Sequence, residues 1–308
     1  MAHRRWEAEL AEFRAESQVS SPDLELRAAA ILQDALADLV PASADECLRR
    51  MVAAGRRVIA AQPASAGIFR LVNDMLWAAA ETSDADAMRV RALGSLAERY
   101  EAGRAALGAL VQAARPWLVR YPVVMTYSRS EAVLGALLAV HAERQQFTVL
   151  CGESRPRLEG QLLAYELGTG GVRVTLGIDM ALFGWLPTAS ALVVGAEGVS
   201  SAGVAVKTGT QALLRAAAEL ELPRIVLAST ARFLPAEYAP GPEPPSAEPD
   251  EIMPPIRNVT VRNQILEAAP LELVSFLVTE GGRLELTTLR ERLTALRVYP
   301  GLVGAPAR

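Results

Sequence analysis

The sequence predicts an α/β fold in two parts: a helical N-terminal domain over 1–118, and a domain over 119–308 built on a parallel sheet. Two observations predict it. In the first part, apolar residues recur at helical spacing and no segment alternates like a strand. Beyond Pro122, short apolar runs alternate with helical segments. Repeated strand–helix units of this length build a parallel sheet with helices on both faces.

The first part is predicted to contain at least four helices. Apolar side chains fall on one helical face over 24–39, and a second helical stretch covers 46–61. A third, amphipathic segment covers 68–77, and a longer helix runs over 85–111. These segments together predict a purely helical domain.

Five strands are predicted in the second part. They cover 123–125, 147–151, 172–178, 191–194 and 224–228. The intervening helices cover 130–144, 162–167, a short stretch after Asp179, and 210–220. A loop is predicted between the fourth strand and the last of these helices. The arrangement is Rossmann-like, and ligands of such sheets bind beyond the carboxyl ends of the strands.

The segment 235–255 is dense in proline and acidic residues, so no regular structure is predicted there. A mobile loop of this length is either a lid over a functional site or a tolerated insertion. Beyond it, helices are predicted over 270–279 and 287–296.

The composition argues against several classes of protein. The two cysteines, Cys47 and Cys151, and the two histidines, His3 and His141, do not have metal-ligand spacing. We therefore expect no disulfide framework, no metal and no other cofactor. The net charge of −4, without a basic stripe, argues against direct nucleic-acid binding. No apolar run approaches the ~18 residues that span a bilayer, and no secretion signal is evident, so we expect a cytoplasmic location.

One cationic residue stands apart. The chain has 31 basic residues, and Lys207 is its only lysine. A GC-rich coding bias accounts for arginine elsewhere, so the lysine is either a chance exception or a position that needs a compact ammonium. Its place between a strand and a helix favours the second interpretation.

Polar residues follow the first four predicted strands, at the edge where ligands of such sheets bind. Cations, hydroxyls and helix N-termini there can hold a phosphate, and carboxylates can bind sugar hydroxyls. The candidates for the phosphate are Arg129, Ser130, Arg155, Lys207, Gly209 and Thr210, with Ser128 beside them. The candidates for the hydroxyls are Glu153, Asp179 and Glu197. Together these residues predict a site for a small anionic polyol.

Each candidate also has a structural interpretation. The two arginines can pair with neighbouring glutamates at the surface. The serines and Asp179 can cap the helices that follow them, and Glu197 can be a solvated loop residue. Thr210 is predicted as an N-cap in either case, and capping is compatible with an anion at the same helix end.

These segments, in this order, resemble a family that contains the initiation factor 2B alpha, beta and delta subunits, methylthioribose-1-phosphate isomerase and ribose-1,5-bisphosphate isomerase. The matching segments are 125–130, 153–160, 193–199, 203–210 and 263–282. Segment 153–156 is similar to the family's Glu-(Thr/Ser)-Arg-Pro element, and segment 203–210 is similar to its Asn-Lys-x-Gly-Thr element. The similarity extends over 60–300 and is strongest over 123–230.

The resemblance implies a choice between two activities, because the family contains both isomerases and regulatory subunits. The isomerases use a cysteine and an aspartate, which fall at Ser128 and Glu197 here, so neither is kept; Glu267 also stands where the family has aspartate. A thiol with a pKa of about 8.5 can move protons near neutral pH, whereas a serine hydroxyl needs a base. Cys151 on the next strand is interpreted as an ordinary buried cysteine and not as a substitute.

Three hypotheses follow. The first, which we favour, is a member without the isomerase chemistry that binds a sugar phosphate or nucleotide through Arg129, Arg155, Lys207 and the helix start at 209–210. It would form a homodimer through the α/β domain. The second is an active aldose–ketose isomerase in which Glu197 is the acid or base. The third is a structural subunit of the translation-factor kind with a vestigial pocket.

Overall fold

The computed structural model describes residues 5–16, 21–41, 43–144, 146–235 and 247–303. The first part consists of helices α1 (Arg5–Ala15), α2 (Ser21–Ala37), α3 (Ala44–Ala61), α4 (Ala66–Ala79) and α5 (Ala85–Leu118). Three of them begin at a side-chain N-cap: Ser43, Ser65 and Asp84 each accept a hydrogen bond from the N–H three residues further on. Over the described residues, the predicted helical first part is confirmed.

The second part alternates strands and helices. The strands are β1 (Val123–Thr126), β2 (Thr148–Gly152), β3 (Arg173–Gly177), β4 (Ala191–Gly195), β5 (Gly198–Ser200), β6 (Gly203–Lys207), β7 (Arg224–Leu227), β8 (Leu266–Ala269), β9 (Phe276–Thr279) and β10 (Gly282–Leu284). The helices are α6 (Glu131–Glu143), α7 (Glu159–Thr169), α8 (Ala181–Trp185), α9 (Thr210–Glu219) and α10 (Leu286–Ala295). All five predicted strands are present.

Seven strands form the main sheet, in the order β10-β9-β7-β4-β1-β2-β3. Neighbouring strands are parallel except in the β9–β10 hairpin. Strand β1 lies inside the sheet, where Val124 is opposite Val149 of β2 on one side and Ala191 of β4 on the other. The carboxyl ends of β1, β2 and β4 therefore meet at one edge, as ligand binding in such sheets requires.

Helices cover both faces of the main sheet, because successive side chains of a strand point to opposite sides. Val124 and Val193 pack in a core with α5, α6 and α7. Met125 and Val194 pack in a second core with α8, α9 and α10. The inner strands β1, β2, β4, β7 and β9 are buried on both faces, which explains their nearly continuous apolar sequences, whereas the edge strand β3 is exposed. The predicted fold class is confirmed.

Buried polar contacts join the helical part to the second part. Asn73 of α4 is 2% exposed; its amide donates to the carbonyl of Arg297 at 3.1 Å and accepts from the N–H of Tyr299 at 2.8 Å. Arg232, in a turn after β7, pairs with Glu25 of α2 at 2.8 Å. Breaking such contacts leaves buried groups unsatisfied, so they fix how the two parts meet.

The helix predicted over 270–279 is wrong. A short 3-10 turn covers Leu271–Leu273, and the chain then enters β9, which pairs with β7. All four residues of β9 are buried, so the strand has no polar face. Periodicity alone cannot assign a short apolar run of this kind to a strand or a helix. The helix predicted over 287–296 is confirmed as α10.

The loop predicted between β4 and α9 contains more structure than the sequence indicated. Strands β5 and β6 form an antiparallel hairpin, and β8 pairs with β6 to make a second, three-stranded sheet. Strands of three to five residues are too short to show a clear period. The hairpin places Lys207 at its end, directly before α9.

Part of the predicted proline-rich loop, residues 236–246, lies outside the described residues. In the part that follows, a 3-10 turn covers Pro249–Glu251. Within the described ranges, no helix has the length and apolar character needed to cross a membrane.

Candidate functional site

A cavity of about 830 Å³ opens at the carboxyl edge of the main sheet, between the strand ends and the helical part. This volume is in the range of small-molecule sites. The helical side contributes apolar residues that include Leu24, Leu71 and Leu107. The sheet side contributes Ser128, Arg129, Ser130, Glu197, Lys207 and Thr210. Six of the ten residues predicted from the sequence therefore lie around one cavity.

Lys207 ends β6 and forms part of the cavity wall. Its side chain is 7% exposed, and its Nζ lies 2.9 Å from both carboxylate oxygens of Glu159, the first residue of α7. A buried ammonium needs such a partner, because burial without one is costly. The pair fixes a cation in the wall of the cavity. Sequence reasoning found the lysine but missed the glutamate.

Arg129 has the ion-pair role that the sequence left open. Its Nε and Nη2 donate to Glu166 at 2.7 and 2.9 Å, and its Nη1 donates to Glu131 at 2.8 Å. The hydrogen bond to Glu166 is the main cause of the raised pKa of Arg129. Two carboxylates thus hold this guanidinium at the edge of the cavity, and it ties the β1 loop to α7.

In the loop after β2, the arginine that faces the cavity is Arg157, two residues beyond the predicted Arg155. Arg155 is exposed, and neither it nor Glu153 is among the described residues that line the cavity. Arg157 lines the cavity and donates from Nε and Nη2 to the two carboxylate oxygens of Glu251, at 3.0 Å each. The sequence shows two arginines in one loop, but only the loop conformation decides which one faces inward.

Asp179 organises the loops around the cavity and does not line it. Its carboxylate accepts the backbone N–H of Ser154 at 2.6 Å and that of Arg155 at 2.9 Å. The Ser154 hydroxyl in turn accepts the N–H of Ser128 at 2.9 Å. Burial, and then the neighbouring Asp179, raise the pKa of Tyr127. One carboxylate after β3 therefore orders the loops after β2 and β1.

The same two loops hold three residues in the left-handed region. Ser128 and Ser154 both have φ of 64°, and Leu158 has φ of 60°. Residues other than glycine enter this region at a cost, and such residues cluster at functional sites. Close contacts tighten the arrangement further: a Cβ on Gly195 would lie 2.4 Å from the Ser130 hydroxyl.

The N-termini of α9 and α6 differ in what faces them. At α9, the N–H groups of Gly209 and Gln211 donate to Glu267, at 2.9 and 2.7 Å. An internal carboxylate thus occupies that helix end, and the prediction that Thr210 is the N-cap is wrong, because the N-cap is Gly209 and Thr210 is the first helical residue. At α6, the N-cap Ser130 makes no side-chain cap hydrogen bond within the described chain, and Ser130 and Glu131 line the cavity. The positive end of the α6 dipole therefore faces the cavity.

The described lining of the cavity contains neither histidine nor cysteine. Cys151, in β2, is fully buried, and burial raises the pKa of its thiol to about 12. His141 lies in the last turn of α6. Across the described residues, no three His, Cys, Asp or Glu side chains are grouped so that they could hold a metal ion. Ser128 and Glu197 are the cavity residues at the positions where the resemblance implies catalysis.

Comparison with known proteins agrees with this description. The sequence model of the initiation factor 2 subunit family matches residues 17–286. Ribose 1,5-bisphosphate isomerase of Archaeoglobus fulgidus is 32% identical over 166 residues, which is 52% of each chain. A putative translation initiation factor eIF-2B subunit 2-like protein of Pyrococcus horikoshii is 29% identical over 73% of this chain and 77% of its own. The chain thus spans about half the length of the isomerases it matches.

Solved structures share the fold. The translation initiation factor eIF-2B of Pyrococcus horikoshii OT3 superposes with a TM-score of 0.75 at 24% identity, over 91% of this chain and 96% of its own. The 5-methylthioribose 1-phosphate isomerase of the same organism gives 0.70 at 18% identity, over 94% and 86%. At this identity the likeness establishes the fold and not the activity.

Proposed function

The chain belongs to the initiation factor 2 subunit family, which includes eIF2B subunits and sugar-phosphate isomerases, and we propose that it binds a phosphorylated sugar at the strand ends. The observation that carries the proposal is the buried ammonium of Lys207 in the cavity wall. A cation that lines the same cavity as the N-terminus of α6 suits a phosphate. The carboxylate of Glu197 and the hydroxyls of Ser128 and Ser130 suit the hydroxyl groups of a sugar.

The candidate residues divide into two roles in this proposal. Ser128, Ser130, Glu197, Lys207 and Thr210 contact the ligand, since all of them line the cavity. Arg129, Asp179 and Gly209 position the loops, through the hydrogen bonds to Glu166, Ser154 and Glu267. Glu153 and the exposed Arg155 belong to the loop that Asp179 orders. Leu24, Leu71 and Leu107 on the helical side could pack against the base of a nucleotide, which is the alternative ligand.

We propose that the family's isomerase chemistry is absent or altered in this chain. Moving a proton between carbon atoms requires a group whose pKa lies near the working pH. Ser128 stands where the resemblance implies a thiol, and the described cavity lining offers no histidine to activate it. The competing proposal is an active isomerase, and the relatives named ribose 1,5-bisphosphate isomerase favour it.

The two proposals differ in turnover of ribose 1,5-bisphosphate in a coupled aldose–ketose assay. We expect no turnover by the wild-type protein and measurable turnover by the double variant Ser128→Cys/Glu197→Asp, because it restores a thiol and shortens the acid by one methylene. A misplacement of ~1 Å costs about 100-fold in rate, so each single variant should stay far below the double. Wild-type turnover that Glu197→Gln abolishes would establish the isomerase instead.

We further propose a homodimer formed through the sheet edge at β3. This strand ends the main sheet, so one side of its backbone is unpaired. Apolar side chains around it are unusually exposed: Tyr165, Leu176, Ile178 and Met180. An exposed patch of this kind beside an open edge suits a second copy of the chain.

Sedimentation velocity tests the dimer. We expect a dimer for the wild-type protein and a monomer for Ile178→Arg, because a charge would be buried at the centre of the contact. Leu220→Arg is the matched control, since Leu220 is an exposed apolar residue at the end of α9. A dimer in all three proteins would place the interface elsewhere.

A further inference from the structure

We propose that Arg157 is an anion subsite of the cavity, and that the carboxylate of Glu251 competes there with the phosphate of the ligand. This inference rests on the proposed function, since it assigns a phosphate-binding residue and a means of regulation to the same cavity. When a phosphate replaces Glu251 as the partner of Arg157, the segment 247–262 loses its attachment next to α7.

The geometry of the pair is that of anion recognition. Arg157 presents two parallel donors, Nε and Nη2, each 3.0 Å from a different oxygen of Glu251. The buried amide of Asn263 donates to the same carboxylate at 3.2 Å. A phosphate offers the same pair of oxygens, and such fork-like pairing is why arginine recurs at phosphate sites. Arg157 and Glu251 both line the cavity, so the fork is within reach of a ligand.

The electrostatics favour the exchange. The hydrogen bond from Arg157 is the main cause that lowers the pKa of Glu251, and the charge of Lys207 adds to it. The surroundings of this carboxylate therefore stabilise a negative charge. A phosphate monoester carries up to two charges at neutral pH, against one for the carboxylate. The pair is also partly open to solvent, with side-chain exposures of 16% and 23%, so no closed core has to open first.

Burial of apolar surface does little to hold the described segment 247–262, which carries Glu251. Its apolar side chains Ile252, Ile256 and Val259 are exposed, so burial contributes little to its docking. The N–H of Ala247 donates to the carbonyl of Asn263 at 2.8 Å, and the Asn263 amide donates to the carbonyl of Glu248 at 2.7 Å. These hydrogen bonds join the start of the segment to Asn263, the residue that follows its end. The Arg157–Glu251 pair joins it to a residue 94 positions away, next to α7.

Limited trypsin digestion tests this attachment without any ligand. Arg257 and Arg262 are exposed within the segment, so cleavage after them, followed by mass spectrometry, reports its release. We expect Glu251→Gln to accelerate these cuts about fivefold, as loss of a partly exposed ion pair implies. Glu248→Gln is the matched control, because Glu248 lines the same cavity three residues earlier. Equal acceleration in both variants, or none in Glu251→Gln, would overturn the proposal.

Calorimetric titration with inorganic phosphate then tests the competition. Since an internal competitor weakens the apparent affinity, Glu251→Gln should bind phosphate about fivefold more tightly than wild type. Glu248→Gln removes the same charge from the cavity and should change the affinity less than twofold. Phosphate should also accelerate the cuts in wild type but not in Glu251→Gln.

The outcomes separate the two proposals. If wild type and Glu251→Gln both bind phosphate with equal affinity, Glu251 does not compete with phosphate. This result would overturn the competition but would not affect the proposed sugar-phosphate site. Phosphate that protects the segment from trypsin would overturn it as well. Binding of phosphate by none of the three proteins would count against the proposed function and the competition together, even where the trypsin result supports the attachment.

Discussion

Replacement of Lys207 by methionine is expected to weaken the binding of ribose 1,5-bisphosphate about 100-fold, equivalent to about 2.7 kcal/mol. Methionine keeps the length and apolar stem of the side chain but removes the charge. The ammonium is buried in the cavity wall, so a hydrogen bond from it to a phosphate would form away from bulk water. Isothermal titration of wild type and variant gives the ratio directly.

The control for Lys207→Met is a double variant that also changes Glu159, the ion-pair partner of the lysine. Lys207→Met leaves the Glu159 carboxylate, 30% exposed, without the ammonium at 2.9 Å, so we expect about 1–2 kcal/mol of lost stability as well. The double variant Lys207→Met/Glu159→Gln should recover most of that stability, because neither charge remains. It should not recover the affinity. If the double variant binds as tightly as wild type, the lysine has a structural role only.

Gly160→Ala is expected to destabilise the protein by about 3 kcal/mol or more, because the added methyl group forces the backbone of α7 away from the end of β2. A Cβ at Gly160 would lie 1.8 Å from the carbonyl oxygen of Gly152, at the end of β2. The N–H of Gly160 also donates to the carbonyl of Glu153 at 3.2 Å, so the first turn of α7 sits directly on the strand end. The close approach holds the loop that carries Arg157 and Glu159 against the sheet.

Gly168→Ala in the same helix is the matched control. Its Cβ would have no atom within 4 Å, so the substitution should stabilise the helix by up to about 1 kcal/mol. Urea unfolding of both variants measures the difference. A Gly160→Ala protein as stable as wild type would mean that α7 can move away from β2, and that the close approach does not hold this part of the cavity wall in place.

Much of the fold could be predicted from the sequence because strand–helix alternation leaves a clear pattern. The five parallel strands, α6 and α9 appear within about one residue of the predicted ends, whereas α7 begins three residues earlier and ends two residues later than predicted. The sequence predicts a helix in place of β9 because the four buried residues of this strand have no polar face. The sequence predicts a loop in place of the β5–β6 hairpin because strands this short show no clear alternation of apolar and polar residues.

The site was predictable to the level of loops but not of individual side chains. Strand order makes the loops after β1 and β4 converge, and the β5–β6 hairpin adds the end of β6, so Ser128, Glu197 and Lys207 share a cavity. Which arginine faces inward depends on backbone conformation, and Leu158 adopts a left-handed conformation that no local rule predicts. The carboxylate partners of the cations come from distant positions, such as Glu251 for Arg157. Long-range pairs of this kind leave no signal in a single sequence.

A crystal structure of the protein with ribose 1,5-bisphosphate tests the central claim most directly. We expect one phosphate within hydrogen-bond distance of the Lys207 ammonium, and sugar hydroxyls beside Glu197. A sugar phosphate bound instead in the shallow groove between α3 and Tyr299, with the strand-end cavity filled only by solvent, would contradict the account.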